Sequence, residues 1–260
     1  MRTVARLSIA AVKSLALQHP EQIVLEPWGV AANRRFHLVD TQGRLYNGTR
    51  RGALVRVRSE WDPGTEQLAL AFPDGTTVQG LATHLDAPVR TDFYGRMVDG
   101  HVLEGPFGTA LSDYAGVPLR LVRVDRPGAG VDVWPLTVLS TASGAELARR
   151  AGDPRAGDTG RFRMLIELDG CTAHEEDTWA GRPVRMGAAV VRVTEPVPRC
   201  AVTQQDPATG RYQLPTLRAI MAYRGTAADG RSVLFGMYGE VLEPGPVRVG
   251  DPVEALSPRP

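Results

Sequence analysis

Val190-Val191-Arg192-Val193-Thr194-Glu195-Pro196-Val197-Pro198-Arg199-Cys200 reads as a strand that runs into a stiff loop carrying a thiol. Val190 to Thr194 has strand composition. The two prolines then fix φ and withhold backbone donors, so the segment after Glu195 is rigid without belonging to a regular ladder. A thiol beside Arg199 is expected to favour the thiolate, the form that attacks electrophiles or binds soft metals. Thr203 and the turn Asp206-Pro207-Ala208-Thr209-Gly210 follow. The alternative reading of Cys200 is a small buried apolar residue.

Outward from this stretch, short alternating runs dominate. Leu7, Ile9 and Ala11; Val55 and Val57; Leu68, Leu70 and Phe72; and Leu119 to Val124 all read as strands. The chain holds 28 Gly and 20 Pro, which supply turns such as Pro73-Asp74-Gly75. The fold class expected is therefore mainly β with a few helices, in twisted sheets or barrels. One helix is expected after Ser143, with Glu146 completing a capping box and Gly152 ending it before Pro154. A second is expected over about 215–223, with Leu214, Leu217 and Met221 on one face and Pro215 in the first turn. The glycine-rich stretch Asp125-Arg126-Pro127-Gly128-Ala129-Gly130 is the natural boundary, dividing the chain into domains 1–125 and 126–260.

The composition excludes several classes. Net charge is +1 over 260 residues, which argues for neither a nucleic-acid nor a membrane partner. Two cysteines, Cys171 and Cys200, make neither a disulfide framework nor a zinc site. No leader and no apolar run of spanning length is evident, so a soluble, cytoplasmic protein is expected. Among 30 Lys plus Arg, Lys13 is the single lysine. A compact ammonium suits a phosphate approached end-on, where a planar guanidinium does not. The five histidines are scattered without metal spacing and read as surface or packing residues. Cys171 has no basic neighbour and reads as structural.

Taken together, these pieces resemble the MOSC family (molybdenum cofactor sulfurase C-terminal domain) preceded by its N-terminal β-barrel domain. The resemblance rests on Val12-Lys13-Ser14, Gly29 and Arg34; on Leu139 to Ser143; and on Arg161-Phe162-Arg163, read as a basic strand. It continues through the acidic loop Glu176-Asp177-Thr178-Trp179, Arg199-Cys200 with Asp206-Pro207, Phe235 to Tyr238, and Val249 to Pro252. Family members similar to amidoxime-reducing enzymes bind a molybdopterin cofactor between the two domains. The resemblance thus implies a molybdenum cofactor (Mo-molybdopterin), with Cys200 as catalytic residue and metal ligand. It also implies that Lys13, Ser14, Arg34 and Arg163 hold the pterin and its phosphate, with Arg199 and Tyr238 lining the site. Two positions depart from the family pattern: Leu165 stands for an Asn and Asn33 for an Asp, so an altered pocket is expected.

The activity implied is a molybdenum-dependent oxidoreductase that reduces N-hydroxylated or N-oxide small molecules by oxygen-atom transfer. Its electrons would come from a separate donor protein of ferredoxin, flavodoxin or cytochrome b5 type, because no iron–sulfur domain follows. Two alternatives stand beside it: a sulfur carrier with a persulfide on Cys200, and a biosynthetic tailoring enzyme on a remodelled scaffold.

Overall fold

The computed structural model describes residues 1–257. It is mainly β, with a nearly closed barrel beside a second β unit. The barrel is a seven-stranded sheet ordered Thr3–Leu7, Ile166–Asp169, Leu136–Ser140, Leu234–Glu243, Ala189–Pro198, Pro183–Met186 and Val253–Ala255. The two edges meet: Val4 N donates to Asp251 O (2.9 Å) and Val253 N to Arg2 O (3.0 Å). Closure removes the exposed edge that an open sheet would carry. Its interior is apolar, with Leu7, Val138, Ile166, Val184 and Val191 fully buried.

The second unit stacks a five-stranded sheet, Leu45–Tyr46, Phe36–Val39, Arg120–Val124, Arg96–Leu103 and Leu85–Phe93, beside a three-stranded sheet, Arg58–Asp62, Gln67–Ala71 and Thr77–Leu81. Phe36, Leu38, Leu54, Leu70 and Leu121 fill its core. A helix, α1 (Phe107–Ala115), covers one side and ends on Gly116 in the left-handed region (φ 71°). This helix is not among those expected from the sequence. The expected division at 125/126 is crossed by the chain: Thr3–Leu7 pairs with Ile166–Asp169, and Gln22–Leu25 pairs with Gly245–Arg248. The first 25 residues therefore stitch the two units together. No helix among the described residues is long and apolar enough to cross a membrane.

Several local expectations shift. Helix α2 (Thr141–Ala151) is capped by Ser140, whose hydroxyl accepts from Ser143 N at 3.1 Å, one turn earlier than the expected cap. Glu146 is then free to bind Arg149 and Arg150 on the surface. Helix α3 (Thr216–Arg224) buries Thr216 and Ile220, leaving Met221 exposed. Pro215 is its cap residue, and Leu214 and Leu217 pack in the same core as Ile220, so of the expected face only Met221 is turned out. Val55 lies in a 3-10 turn, Gly52–Arg56, in which consecutive Leu54 and Val55 are both buried. Arg161-Phe162-Arg163 is likewise a 3-10 turn, Thr159–Phe162, ending on Arg163 at φ 55°.

The two units are pressed together at glycines. A Cβ on Gly52 would lie 1.9 Å from Gly210 O, and one on Gly130 would lie 1.9 Å from Arg34 O. Gly52 and Gly210 join the 3-10 turn to the cysteine loop, so no side chain separates the two backbones. Gly52→Ala should destabilise the fold by about 1–3 kcal/mol through overpacking. Gly64→Ala, in an exposed turn where a Cβ would meet only the Asp62 Oδ1 side-chain oxygen at 3.3 Å, should stay within about 1 kcal/mol. Urea unfolding of both variants checks the contrast.

Candidate functional site

Cys200 owes its place to the end of the strand Ala189–Pro198. Its register against Leu234–Glu243 shifts between Val193, Pro196 and Pro198, where the prolines interrupt regular pairing. Arg199 N then donates to Val233 O (2.8 Å). Cys200 opens a 3-10 turn, Ala201–Gln204, in which Thr203 donates both its amide (3.1 Å) and its hydroxyl (2.9 Å) to Cys200 O. The Cys200 side chain is exposed.

Arg161 holds this loop from beneath. Fully buried, it donates from Nη1 to Thr203 O and Gln205 O (both 3.1 Å), and from Nη2 to Arg155 O (2.6 Å) and Gln213 Oε1 (2.9 Å). Gln205 Nε2 donates to Gly48 O (2.9 Å) and anchors the loop on the other unit. Asp206 accepts from Ala208 N, Thr209 N and Gln213 Nε2, which closes the turn.

Cys200 borders a cleft between the two units, with about 840 Å³ of space free of protein atoms when its open mouth is included. Lys13, Ser14, Arg34, Arg163, Arg199 and Tyr238 border the same cleft, so every site residue singled out in the sequence comes together here. They arrive from five separate segments. Of the six non-glycine residues with left-handed φ among the described residues, Ser14 (74°), Arg34 (53°), Tyr94 (56°) and Arg163 (55°) all lie on this cleft. Backbone of this kind is held only where surrounding structure enforces it, and it concentrates at binding and catalytic sites.

The cations are held mainly by carbonyl oxygens. Arg163 Nη2 donates to Leu15 O (2.6 Å), Arg34 Nη2 to Arg163 O (3.3 Å), and Arg199 Nη2 to Phe162 O (2.6 Å). The Arg199 guanidinium also lies 5.2 Å from the centre of the Phe162 ring. Lys13 Nζ donates to Asp132 Oδ1 at 2.6 Å and sits 5.1 Å from the Phe93 ring centre. Asp132 is the one carboxylate on the cleft wall among the described residues.

The charges perturb one another accordingly. Burial pushes Arg163 down to about 9, and the neighbouring Arg34 adds to the shift. Lys13 is lowered by burial, against the opposing pull of Asp132. At Asp132 the loss of solvent acts upward, but Lys13 and Arg34 outweigh it and hold the carboxyl below its ordinary value. Tyr238 is raised to about 12, by burial first and then by Asp132, and stays a neutral phenol.

The two departures from the family pattern resolve differently. Asn33 is buried, and its Oδ1 accepts from Ala10 N (3.1 Å) and Arg34 Nη1 (3.2 Å). The amide still orients Arg34, but without neutralising it. Leu165 does not reach the cleft; it packs in the barrel interior, and Met164 and Thr137 form the wall nearby. The acidic loop also points elsewhere. Glu176 is buried and accepts from Ser143 Oγ (2.6 Å) and Ser140 N (3.2 Å), while Asp177 pairs with Arg224 (2.6 Å). Cys171 lies off the cleft, its thiol pushed up to about 12 by burial and then by Glu175 and Glu176. Asp132 and Tyr94 were not foreseen. Asp132 stands just beyond the glycine-rich stretch, and Tyr94 at a hairpin tip; neither has a spacing that marks it as functional.

Comparison with known proteins agrees with this architecture. The MOSC domain pattern matches residues 125–254, and the MOSC N-terminal beta barrel domain matches residues 1–102. The human mitochondrial amidoxime-reducing component 1 is 27% identical over 288 residues, spanning 98% of this chain and 83% of that protein. The human mitochondrial amidoxime reducing component 2 is 36% identical over 131 residues, 47% of this chain but only 37% of that protein's length. Among solved structures, the YuaD protein from Bacillus subtilis aligns over 100% of this chain and 99% of its own at 12% identity, with a TM-score of 0.47. With both patterns together extending over most of its length, the chain belongs to the MOSC family and carries the family's N-terminal β-barrel.

Proposed function

We propose that the cleft is the seat of a molybdenum–pterin cofactor and that the protein reduces N-hydroxylated or N-oxide small molecules. One observation carries the reading: Lys13, Arg34, Arg163 and Arg199 face a single carboxylate, Asp132, in a cleft where solvent is scarce. Such an excess of positive charge is costly without an anion and favours a phosphate monoester, which brings roughly two negative charges and three acceptor oxygens. The donors needed are present. Arg199 Nε is buried without an acceptor, and the carbonyl-held guanidiniums keep their charge. Among the described residues no group of three or more His, Cys, Asp or Glu could hold a metal by itself. Cys200 is therefore a single soft donor, suited to completing the coordination of a metal that sulfur ligands already hold.

When bound, the cofactor supplies a redox metal able to accept an oxygen atom and to be returned by two electrons. The chain's own residues bind and orient. Lys13, Ser14, Arg34 and Arg163 would hold the anionic part; Arg199 fixes the strand end from which Cys200 projects; Tyr238 and Asp132 face the mouth, the first as a neutral donor and the second as an acceptor. The small-molecule substrate would enter past these groups, and a separate electron-donor protein would supply reducing equivalents. The amidoxime-reducing names of the similar proteins support this class of substrate. The exposure of Cys200 also suits a persulfide carrier, but sulfur transfer alone gives no reason for four converging cations.

Protein from a host that makes the cofactor should contain near-stoichiometric molybdenum and release a fluorescent pterin on oxidation; metal-free protein with a persulfide on Cys200 would favour the carrier instead. In cofactor-free protein, inorganic phosphate should raise Tm by linkage, worth about 2.7 kcal/mol at ~100 times its Kd. Lys13→Ala should abolish that gain and lower pterin content, with Lys13→Arg restoring it only in part. Cys200→Ser should lose turnover of N-hydroxylated compounds with a reduced dye as donor, and lose molybdenum ahead of pterin. Cys171→Ser should cost about 1 kcal/mol of stability and retain turnover.

A further inference from the structure

The Phe93 ring carries two cations. Lys13 Nζ lies 5.1 Å from its centre and the Arg96 guanidinium carbon 5.7 Å. Their settings differ: Lys13 is 7% exposed and borders the cleft, whereas Arg96 is exposed at the start of the strand Arg96–Leu103.

The stretch 129–132 joins them. It lies between the strands Arg120–Val124 and Leu136–Ser140 and belongs to neither sheet. Its acceptors are divided between the two cations. Arg96 Nη2 donates to Ala129 O (2.9 Å) and Val131 O (2.5 Å), while Lys13 Nζ donates to Gly130 O (3.4 Å) and Asp132 Oδ1 (2.6 Å). Successive residues thus offer their oxygens alternately to the exposed arginine and to the buried lysine.

Close packing of the backbone permits this grip. A Cβ on Gly130 would lie 1.9 Å from Arg34 O, and one on Gly128, at φ 78°, would lie 2.1 Å from Trp28 O. Ala129 packs against the cluster that contains Phe93, Val98 and Val124. Asp132 itself is open, with 45% of its side chain accessible. A carboxylate so exposed is well solvated, and its hold on a cation depends on how firmly its backbone is fixed.

Lys13 needs that partner. Burial favours the neutral amine, and Arg34 and Arg163 repel the charged form; Asp132 is the group that opposes them. His37 meets the Phe93 ring edge-on at 4.9 Å and is pushed down to about 3 by burial and then by Lys13, so it stays neutral beside the ammonium.

We infer that Arg96 is a positioning residue for the anion site: by gripping 129–132 from outside the cleft it keeps the Asp132 carboxylate on the Lys13 ammonium, so that the lysine stays charged until an anion arrives. This deepens the proposed function by naming the device that keeps the site ready, and it rests on that reading for what Lys13 binds.

Cofactor-free protein made with carbon-13-labelled lysine gives a single ε-methylene NMR signal, because Lys13 is the only lysine in the chain, and its pH titration reads Lys13 alone. Asp132→Asn should lower the midpoint by about one pH unit. Arg96→Met keeps the stem against Phe93 and removes the donors. It should lower the midpoint by about half as much, although loss of a nearby positive charge would by itself raise it. In the Asp132→Asn background Arg96→Met should no longer lower it. Arg90→Met, which removes a cation of the same hairpin that pairs with Asp99, should leave the titration as in the wild type. A midpoint that is unchanged or raised in Arg96→Met overturns the inference, as does a lowering that persists without Asp132. Inorganic phosphate should raise the wild-type midpoint. A signal that ignores phosphate but falls in Arg96→Met sinks the anion site and leaves the grip standing; one that responds to phosphate but not to Arg96→Met does the reverse.

Discussion

Four positive side chains gathered in one poorly solvated cleft are the constraint around which this molecule is organised. At an effective dielectric of about 20, like charges a few ångströms apart repel by a few kcal/mol each, and nothing in a barrel fold requires them to meet. The protein holds three of them, Arg163, Arg199 and Arg34, with carbonyl oxygens of Leu15, Phe162 and Arg163, and Lys13 with the Asp132 carboxylate. A carbonyl orients a guanidinium through its dipole and leaves the net charge in place. Asn33 does the same for Arg34, where an aspartate would neutralise it. The cleft is thus built to remain electropositive, which makes sense of a family whose proposed ligand is anionic.

Positioning, by contrast, is handled by buried groups whose hydrogen bonds are made within the protein. Arg161 spends both guanidinium nitrogens of its fork on loop carbonyls and Gln213. With its charge turned into the protein it fixes the curvature of the cysteine loop. Glu176 plays a comparable part at the start of α2, where burial raises its pKa and Ser143 and Ser140 bind it. These two buried ionisable groups look functional in sequence because they are charged and lie in family motifs; their hydrogen bonds show that they are scaffolding.

The sequence made the chemistry more legible than the backbone. Lys13 stood out because it is the sole lysine, and Cys200 because prolines and an arginine precede it; both depend on side-chain identity, which a sequence displays directly. The β character followed from alternation and turns. Legibility failed where a tertiary contact overrode local preference. Val55 sits in a tight turn because Gly52 must meet Gly210, and the run through Arg161 coils as Arg161 binds Thr203 O and Gln205 O while Arg163 binds Leu15 O. Asp132 and Tyr94 were silent for another reason: each acquires meaning only from partners more than 30 residues away, Lys13 for one and the cysteine loop for the other.

The closure of the barrel by residues 2–4 against 250–253 has a consequence for how the protein comes into being. Lys13 is made well before the partners of the strand that precedes it, Ile166–Asp169 and the 250–253 segment, which lie far downstream. At synthesis rates of about 5–20 residues per second, the first strand waits roughly 10–50 s for the last of them. During that interval the N-terminal strand is unpaired and the cleft has only one wall. An anion that bridges Lys13 and Cys200 therefore finds the complete cleft only once residues 250–253 have been made and paired, and until then the N-terminal strand is open to pairing elsewhere.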